Sequence, residues 1–422
     1  MNRRIRILLA AMVAAAASLG AQAQTCNVTI SPPADVTATA AGMTAGHELC
    51  LNPGSYPPPV GFPTTGAFAL GNSVKIRGLG ATPAATVLQS TSADHGFLFT
   101  NYLNNGKTAN GGQLINLTIQ GSKGGIQIQN FTNQPAGRPT DIRLKDVVIN
   151  TPATSCATTC FGILAQNVDR LVLDNVTVTS YQGALFFIDV NDSLVMNSTV
   201  TGTGQPNAAG LAVIGGSGNR FLYNTFGQPK TGATYSFNGG GLVFYNTSDN
   251  RFEGNLVQGA KDDAVDFTVL DSPNGQPTVP ALNNYVGKNT VIHTALSEGR
   301  VLGASGIWSN CSSNGTWIYG NTVTGTAECG VCVWLGKSNM VLGNTFTNNG
   351  IVGTFVSGGT ETLGNCTAGG GAFRVKPTST FVLSNANTFN VNDQMVVRNA
   401  DNTYVARNFS SPRANFGGAT QA

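Results

Sequence analysis

Charge is scarce in this chain of 422 residues: Asp, Glu, Lys and Arg together make up only 10%. Soluble domains average about 25%, so a surface built of charged amphipathic helices is excluded. The three histidines, His47, His95 and His293, show no pair at metal-ligand spacing, which argues against an imidazole metal centre. The formal net charge is +3, yet Arg3, Arg4 and Arg6 lie in a leader-like N-terminus. Without them, 20 basic residues (23 − 3) face 20 acidic ones. Nucleic acid is therefore not an expected partner, since it needs a clustered basic surface. Past the N-terminus no run is apolar enough to cross a bilayer, so no membrane span is expected. The 3.6-residue period of a helix is almost missing as well.

The N-terminus reads as an export signal over residues 1–23. A basic stretch precedes the apolar run from Ile7 to Leu19, and Ala21-Gln22-Ala23 offers small residues for cleavage. The expected destination is outside the cell or in the periplasm. Eight cysteines in an exported chain point to disulfides rather than metal ligands. Cys26 with Cys50, and Cys156 with Cys160, are the expected local pairs. Cys311, Cys329, Cys332 and Cys366 leave three pairings open. Cys329 and Cys332 have redox-motif spacing but lie in a strand pattern, which favours a structural role.

What is abundant is repetition. Nine times an apolar residue is followed, five places on, by another: Leu114/Ile119, Leu144/Ile149, Leu173/Val178, Val195/Val200, Phe221/Phe226, Phe252/Val257, Val286/Val291, Ile318/Val323 and Val341/Phe346. The pairs recur every 22 to 34 residues. Between them lies a short alternating segment, usually opened by a small residue such as Gly125, Gly162, Gly183, Gly210, Gly241, Ala264, Gly306 or Gly330. A period of this length marks units that bury their apolar faces only by stacking on one another. Short strands joined by the 53 glycines and by Asn, Asp and Ser favour a coil of parallel strands, each turn about 4.8 Å above the last. Asparagines mark one joint. Asn116, Asp146, Asn175 and Asn197 sit two places after the first apolar residue, and Asn224, Asn255, Asn289, Asn321 and Asn344 sit three places after it. Stacked amides at a bend satisfy backbone groups, and the one-residue shift predicts a change of bend near Phe221.

Leu51-Asn52-Pro53-Gly54-Ser55-Tyr56, Val74-Lys75-Ile76-Arg77-Gly78-Leu79-Gly80 and Thr86-Val87-Leu88 resemble the opening turns of right-handed parallel β-helix proteins of the pectate-lyase-like superfamily. The Gly-Asn-Thr steps at Gly320 and Gly343 are similar to that group's repeats. The resemblance covers roughly Cys50 to Asn390 and implies an all-β, single-stranded right-handed parallel β-helix. Residues 24–50 would then form an N-terminal cap, 51–390 the coil and 391–422 a capping tail.

Strand alternation predicts which residues face outward. Taking the second and fourth residues after each small one gives Gln127, Leu164, Leu185, Ala212, Val243, Asp266, Trp308 and Cys332, then Gln129, Gln166, Phe187, Ile214, Tyr245, Thr268, Asn310 and Trp334. Tyr245, Trp308, Asn310 and Trp334 are candidate substrate-binding residues, because rings stack on the apolar faces of sugars while amides bond hydroxyls. If long loops cover this face, the same tryptophans become ordinary packing.

One dense acidic cluster falls in the same place: Lys261, Asp262, Asp263 and Asp266, with Arg300 arriving one turn later. Neighbouring carboxylates hold protons at different pKa values, which divides acid from base in glycoside hydrolysis. The same oxygens could hold Ca²⁺, with Lys261 or Arg300 as the base of a β-elimination. A solvated turn in which Asp caps backbone amides is the bland alternative. The Asp-Asp step resembles the acid and water-activating base of polygalacturonase-type hydrolases, which would place those roles on Asp262 and Asp263. That family's Gly-His-Gly, Arg-x-Lys and Asn-Thr-Asp steps are absent. Asp263-Ala-Val-Asp266 is similar to the start of the motif in alginate-modifying epimerases, with Phe267-Thr268 where Pro-His would follow. The expected function is an exported polysaccharide-active protein, hydrolase or lyase, with polysaccharide as partner. The alternative is a non-catalytic glycan- or surface-binding coil.

Overall fold

The computed structural model describes residues 26–59, 67–92, 95–100, 108–121, 124–129, 137–151, 160–180, 183–202, 209–229, 236–237, 240–268, 281–292, 305–309, 315–326, 330–333 and 339–347, with short strands at 380–383, 388–389, 394–398, 404–408 and 420–421. Each turn of the coil supplies three short strands. In one turn these are Arg251–Glu253, Leu256–Gln258 and Val265–Thr268. First and second strands join into one sheet of 24 strands, and third strands form another of ten. Every pairing within these two sheets is parallel among the described residues. Among the described residues one pair is antiparallel, Gln394–Arg398 with Tyr404–Asn408.

The apolar pairs of the repeat stack one above another without slip. Leu144 lies over Leu114 and Ile149 over Ile119, and the files continue through Phe221 over Val195 and Phe252 over Phe221 to Val341 over Ile318. Of these, the positions from Leu114 to Ile318 are buried in one continuous core. Aromatic rings thicken its middle: Phe221 and Phe244 meet edge-on at 5.7 Å, and Phe244 stacks on Phe267 at 4.5 Å. A slip of one residue would turn a whole file outward, so the burial pins the register. The small residue opening each third strand has a steric reason. A Cβ on Gly162 would strike Val178 and Ala184, and one on Gly241 would strike the carbonyl of Ala264 in the next turn.

The bend between first and second strands differs from the expected picture. It does not change near Phe221. Asn116, Asp146, Asn175 and Asn197 all have φ of 52 to 55°, and the equivalent Tyr223, Gly254, Lys288, Gly320 and Gly343 keep φ of 55 to 68°. One left-handed residue therefore turns every bend, supplied first by Asn or Asp, which tolerate that region, and later mostly by Gly. The asparagines one place further on do something else. Asn224, Asn255, Asn289, Asn321 and Asn344 are buried. The backbone N–H of Asn255 donates to Asn289 Oδ1 at 2.8 Å, its Nδ2 donates to the same oxygen at 3.0 Å and to the Phe221 carbonyl at 2.9 Å. Asn289 and Asn321 repeat the pattern toward Asn344. Earlier turns fill this position with Leu117, Val147 and Val176, then Ser198, whose N–H begins the ladder on Asn224 Oδ1. A second ladder, absent from the sequence reading, climbs the neighbouring corner through Ser193, Asn219, Asn250 and Asn284.

Parallel pairing begins at Val28–Ile30, which lies beside Leu49–Leu51. The segment 24–50, expected as a cap, thus contributes a strand of the stack as well as the helix Val36–Ala41. Asp35 caps that helix through the Ala38 N–H, and Val36 and Ala40 enter the core. Cys26 and Cys50 are joined as expected, with Cα atoms 5.7 Å apart. Cys160 is also disulfide-bonded, while its expected partner Cys156 lies outside the described residues. No described helix is long and apolar enough to cross a membrane.

The two kinds of asparagine should respond differently to substitution. Asn255→Ala takes the acceptor from the buried Asn224 N–H and removes the side-chain donor to the Phe221 carbonyl, and should cost about 3 kcal/mol. Asn197→Gly, at an exposed left-handed position, should change stability by no more than about 0.5 kcal/mol. Urea unfolding midpoints of the two variants check both values.

Candidate active site

The site lies on the outer face of the ten-strand sheet. Its register places Gln127, Leu164, Phe186, Ala212, Val243, Asp266 and Trp308 in one outward file. Two expected members were misplaced. Leu185 and Phe187 point inward and are buried, and Phe186 and Ile188 take their places. The cause is an early start of the strand Gly183–Asn191: Gly183 pairs with Phe161, so Ala184 and not Gly183 corresponds to the opening Gly162. That one-residue shift hid an aromatic shelf. Phe186 stacks on Phe161 with centroids 4.5 Å apart and planes within 15°. Aligning Ala184 with the other small residues would have revealed Phe186; Phe161 carries no comparable signal.

Phe161, Phe186, Ala212, Val243, Tyr245 and Asp262 line a hollow of about 380 Å³ in this face. Apolar and polar surface share the lining about equally, with Tyr245 and Asp262 supplying a phenol and a carboxylate. That composition and size suit a ligand of one or a few small rings. Tyr245 carries its hydroxyl well above the usual phenol range, chiefly through burial and then through the charges of Asp266, Asp262 and Asp263. It is a neutral donor at physiological pH. All three carboxylates lie near enough to act on its hydroxyl, and of the three Asp262 lines the hollow.

The three carboxylates are not equivalent. Asp263 is buried, and its Oδ1 accepts the Ser305 N–H at 2.9 Å, while its carbonyl accepts the Gly241 N–H at 2.8 Å. It ties adjacent turns together, as the amide-capping alternative expects. Asp262 is half-buried at the hollow. Asp266 extends from the strand Val265–Thr268 between Val243 and Trp308. The residue is half-buried, but its Oδ1 is sealed from solvent and has no hydrogen-bond partner. Burial, and then the charge of Asp262, push its carboxyl up to about 8. Near neutrality it is mostly a protonated acid beside an acidic neighbour, an arrangement that separates donor from acceptor.

Trp308 stands in the outward file, but it is only 8% exposed. It packs beside Asp266 and offers no open ring to a sugar, because a direction away from the sheet does not guarantee access to solvent. Lys261 is half-buried at the turn, its backbone N–H on the Phe237 carbonyl. Arg300, Asn310 and Trp334 lie outside the described residues. Among the described residues no three His, Cys, Asp or Glu gather in a way that would hold a metal ion.

The family model described as the right-handed beta helix region matches residues 102–268 and 161–339. The chain belongs to the right-handed β-helix family. No curated protein matches it in sequence. Among solved structures, the β-helix is similar to the Dettilon tailspike protein, at 11% identity and a TM-score of 0.50, over 81% of this chain and 60% of the tailspike. It spans therefore less than two thirds of that protein's length. Lesser likenesses include the A-module of a mannuronan C-5 epimerase of Azotobacter vinelandii (13% identity, TM-score 0.46, 84% of this chain and 92% of that one). Another is PfbA, a surface adhesin of Streptococcus pneumoniae (11%, 0.44, 87% and 93%). At such identities a likeness speaks to fold alone.

Asp266 makes the β-helix pH-sensitive in a definite direction. Its folded pKa is raised from about 4 in an unfolded chain to about 8. Its contribution is therefore fully present below about pH 4 and is lost as the pH climbs toward 8. Asp266→Asn should remove this decline, so that the variant gains stability relative to the wild type between pH 5 and pH 8 on the order of that window. Denaturation midpoints measured at several pH values check the sign.

Proposed function

We propose that this exported β-helix protein degrades a polysaccharide by hydrolysis at the hollow on its ten-strand sheet. The observation that carries the reading is Asp266: a carboxyl with its Oδ1 buried and unbonded, held protonated beside Asp262. A sugar ring packs against Phe161 and Phe186, and the phenol of Tyr245 donates to a hydroxyl. Asp266 gives its proton to the glycosidic oxygen as the C–O bond breaks. Water adds to the anomeric carbon, and Asp262 takes the proton that water loses. The roles thus fall on Asp262 and Asp266, with Asp263 fixing the turn.

The lyase alternative, with Ca²⁺ on the aspartates and Lys261 or Arg300 as base, has less support. A protonated Asp266 is a poor ligand for a hard cation. The second reading, a non-catalytic glycan-binding coil, is favoured by one observation: a hollow lined by the rings of Phe161, Phe186 and Tyr245 suffices for binding, and Asp263 is already engaged within the fold.

Product analysis on a panel of neutral and uronic polysaccharides separates these readings. Hydrolysis predicts saturated reducing ends, no absorbance of unsaturated products, and a rate that falls as the pH rises past about 8, where Asp266 loses its proton. Asp266→Asn should lower turnover by roughly 10²- to 10⁴-fold with the fold intact. Full turnover in that variant contradicts the assignment, unsaturated products indicate elimination, and glycan retention without product favours binding.

A further inference from the structure

A separate surface lies on the outer face of the first-strand sheet, and the hollow does not use it. Among the described residues the exposed large apolar side chains are few, and three of them gather here: Tyr223 at 65% exposure, Trp317 at 49% and Tyr319 at 44%. Stacking explains the gathering. Arg220, Arg251, Tyr285 and Trp317 follow one another in one file, and Leu222, Glu253, Gly287 and Tyr319 in the next. Tyr223 projects from the left-handed bend beside them.

The rings are laid flat by glycines. A Cβ on Gly254 would come within 2.6 Å of the Tyr223 ring, and one on Gly287 would strike the ring of Tyr285. Gly254 also has φ of 68°, where a side chain is strained in any case. Tyr223 can therefore lie over the neighbouring turn at Gly254, and Tyr285 along its own strand over Gly287, each presenting a face rather than an edge. Arg251 already uses one such face, its guanidinium 4.3 Å from the Tyr285 centroid. Charge on the patch is one-sided. Glu253 bonds Arg251 at 2.6 Å and Lys288 at 2.9 Å, and these two cations, Arg251 first, hold its carboxyl below the usual carboxylate range. Arg220 adds a third cation in the same file, so three positive groups surround one negative.

We propose that this face is a second glycan-binding surface, separate from the hydrolytic hollow, and that it takes an acidic polysaccharide. Sugar rings stack on Tyr223, Trp317 and Tyr319, and the excess positive charge of Arg220, Arg251 and Lys288 meets carboxylates along the polymer. Successive turns rise about 4.8 Å, and Tyr223 stands three turns before Trp317 and Tyr319, so one chain lying along the coil axis can reach both by spanning roughly 14 Å. The surface gives the protein a hold on the polymer that does not depend on the reacting residues.

Native electrophoresis in gels containing polygalacturonate, with soluble β-glucan gels in parallel, tests this. The wild type should be retarded by polygalacturonate more than by β-glucan, and less so at high salt. Trp317→Ala with Tyr319→Ala should weaken the retardation roughly tenfold or more in apparent affinity, with an unchanged unfolding midpoint because both rings are exposed. Asp266→Asn should be retarded as the wild type is, which separates this site from the hollow: loss of turnover and loss of retention would occur in different variants. The proposal is overturned if polygalacturonate does not retard the wild type, if β-glucan retards it equally, or if the double variant binds unchanged. It is also overturned if sedimentation shows the wild type self-associating through the patch and the double variant not, since the occupant is then a second copy of the chain.

Discussion

The hydrogen bond from the N–H of one corner asparagine to the side-chain oxygen of the asparagine above it holds the coil's register where no strand does. Strands pair turn with turn, but corners expose backbone groups that the core would otherwise leave unsatisfied. The buried amides of Asn224, Asn255, Asn289, Asn321 and Asn344 close that gap, each side-chain oxygen accepting the corner N–H of the preceding turn while its amide donates to a backbone carbonyl of that same turn. Since each amide needs its neighbour at the same height, insertions are forced into the connections between other strands, away from this corner. The repeat can then vary in length from turn to turn while the apolar files stay aligned.

Much of this was legible in the sequence. The nine apolar pairs named the core files and the stacking order, because burial with a period of two tolerates no slip. What misled was treating two asparagine positions as one bend that had moved. Asn197 and Asn224 do different work, one adopting a left-handed backbone at the surface and the other bonding inside the corner. Composition alone cannot separate them, since Asn suits both. The slip at Gly183 had a similar origin. Two small residues in a row, Gly183 and Ala184, offered two alignments, and only the pairing of Phe161 with Gly183 decides between them.

The candidate site was legible in its address and less so in its chemistry. Asp262, Asp263 and Asp266 do converge with Tyr245, but the adjacent pair is split by a hydrogen bond to Ser305 that spans 42 residues of sequence. No local pattern announces such a contact. Asp266 owes its raised pKa first to burial and then to the charge of Asp262, and Trp308 is only 8% exposed although its place in the strand turns it away from the core. Of the aromatic residues visible as a stripe in the sequence, Trp308 is packed within the fold, while Trp317, outside that stripe, stands at an open surface.

Amide exchange at the corner provides the most direct test of the stacking account. The Asn289 N–H donates to Asn321 Oδ1 at 3.0 Å, whereas the neighbouring Thr290 N–H donates to the Asn255 carbonyl at 2.8 Å. In the wild type both should exchange slowly, as strand amides do. In Asn321→Ala the Asn289 amide should become fast while Thr290 remains protected. If the Asn289 amide already exchanges at the rate of an open loop in the wild type, or is unmoved by the substitution, the amide ladder does not hold the turns in register.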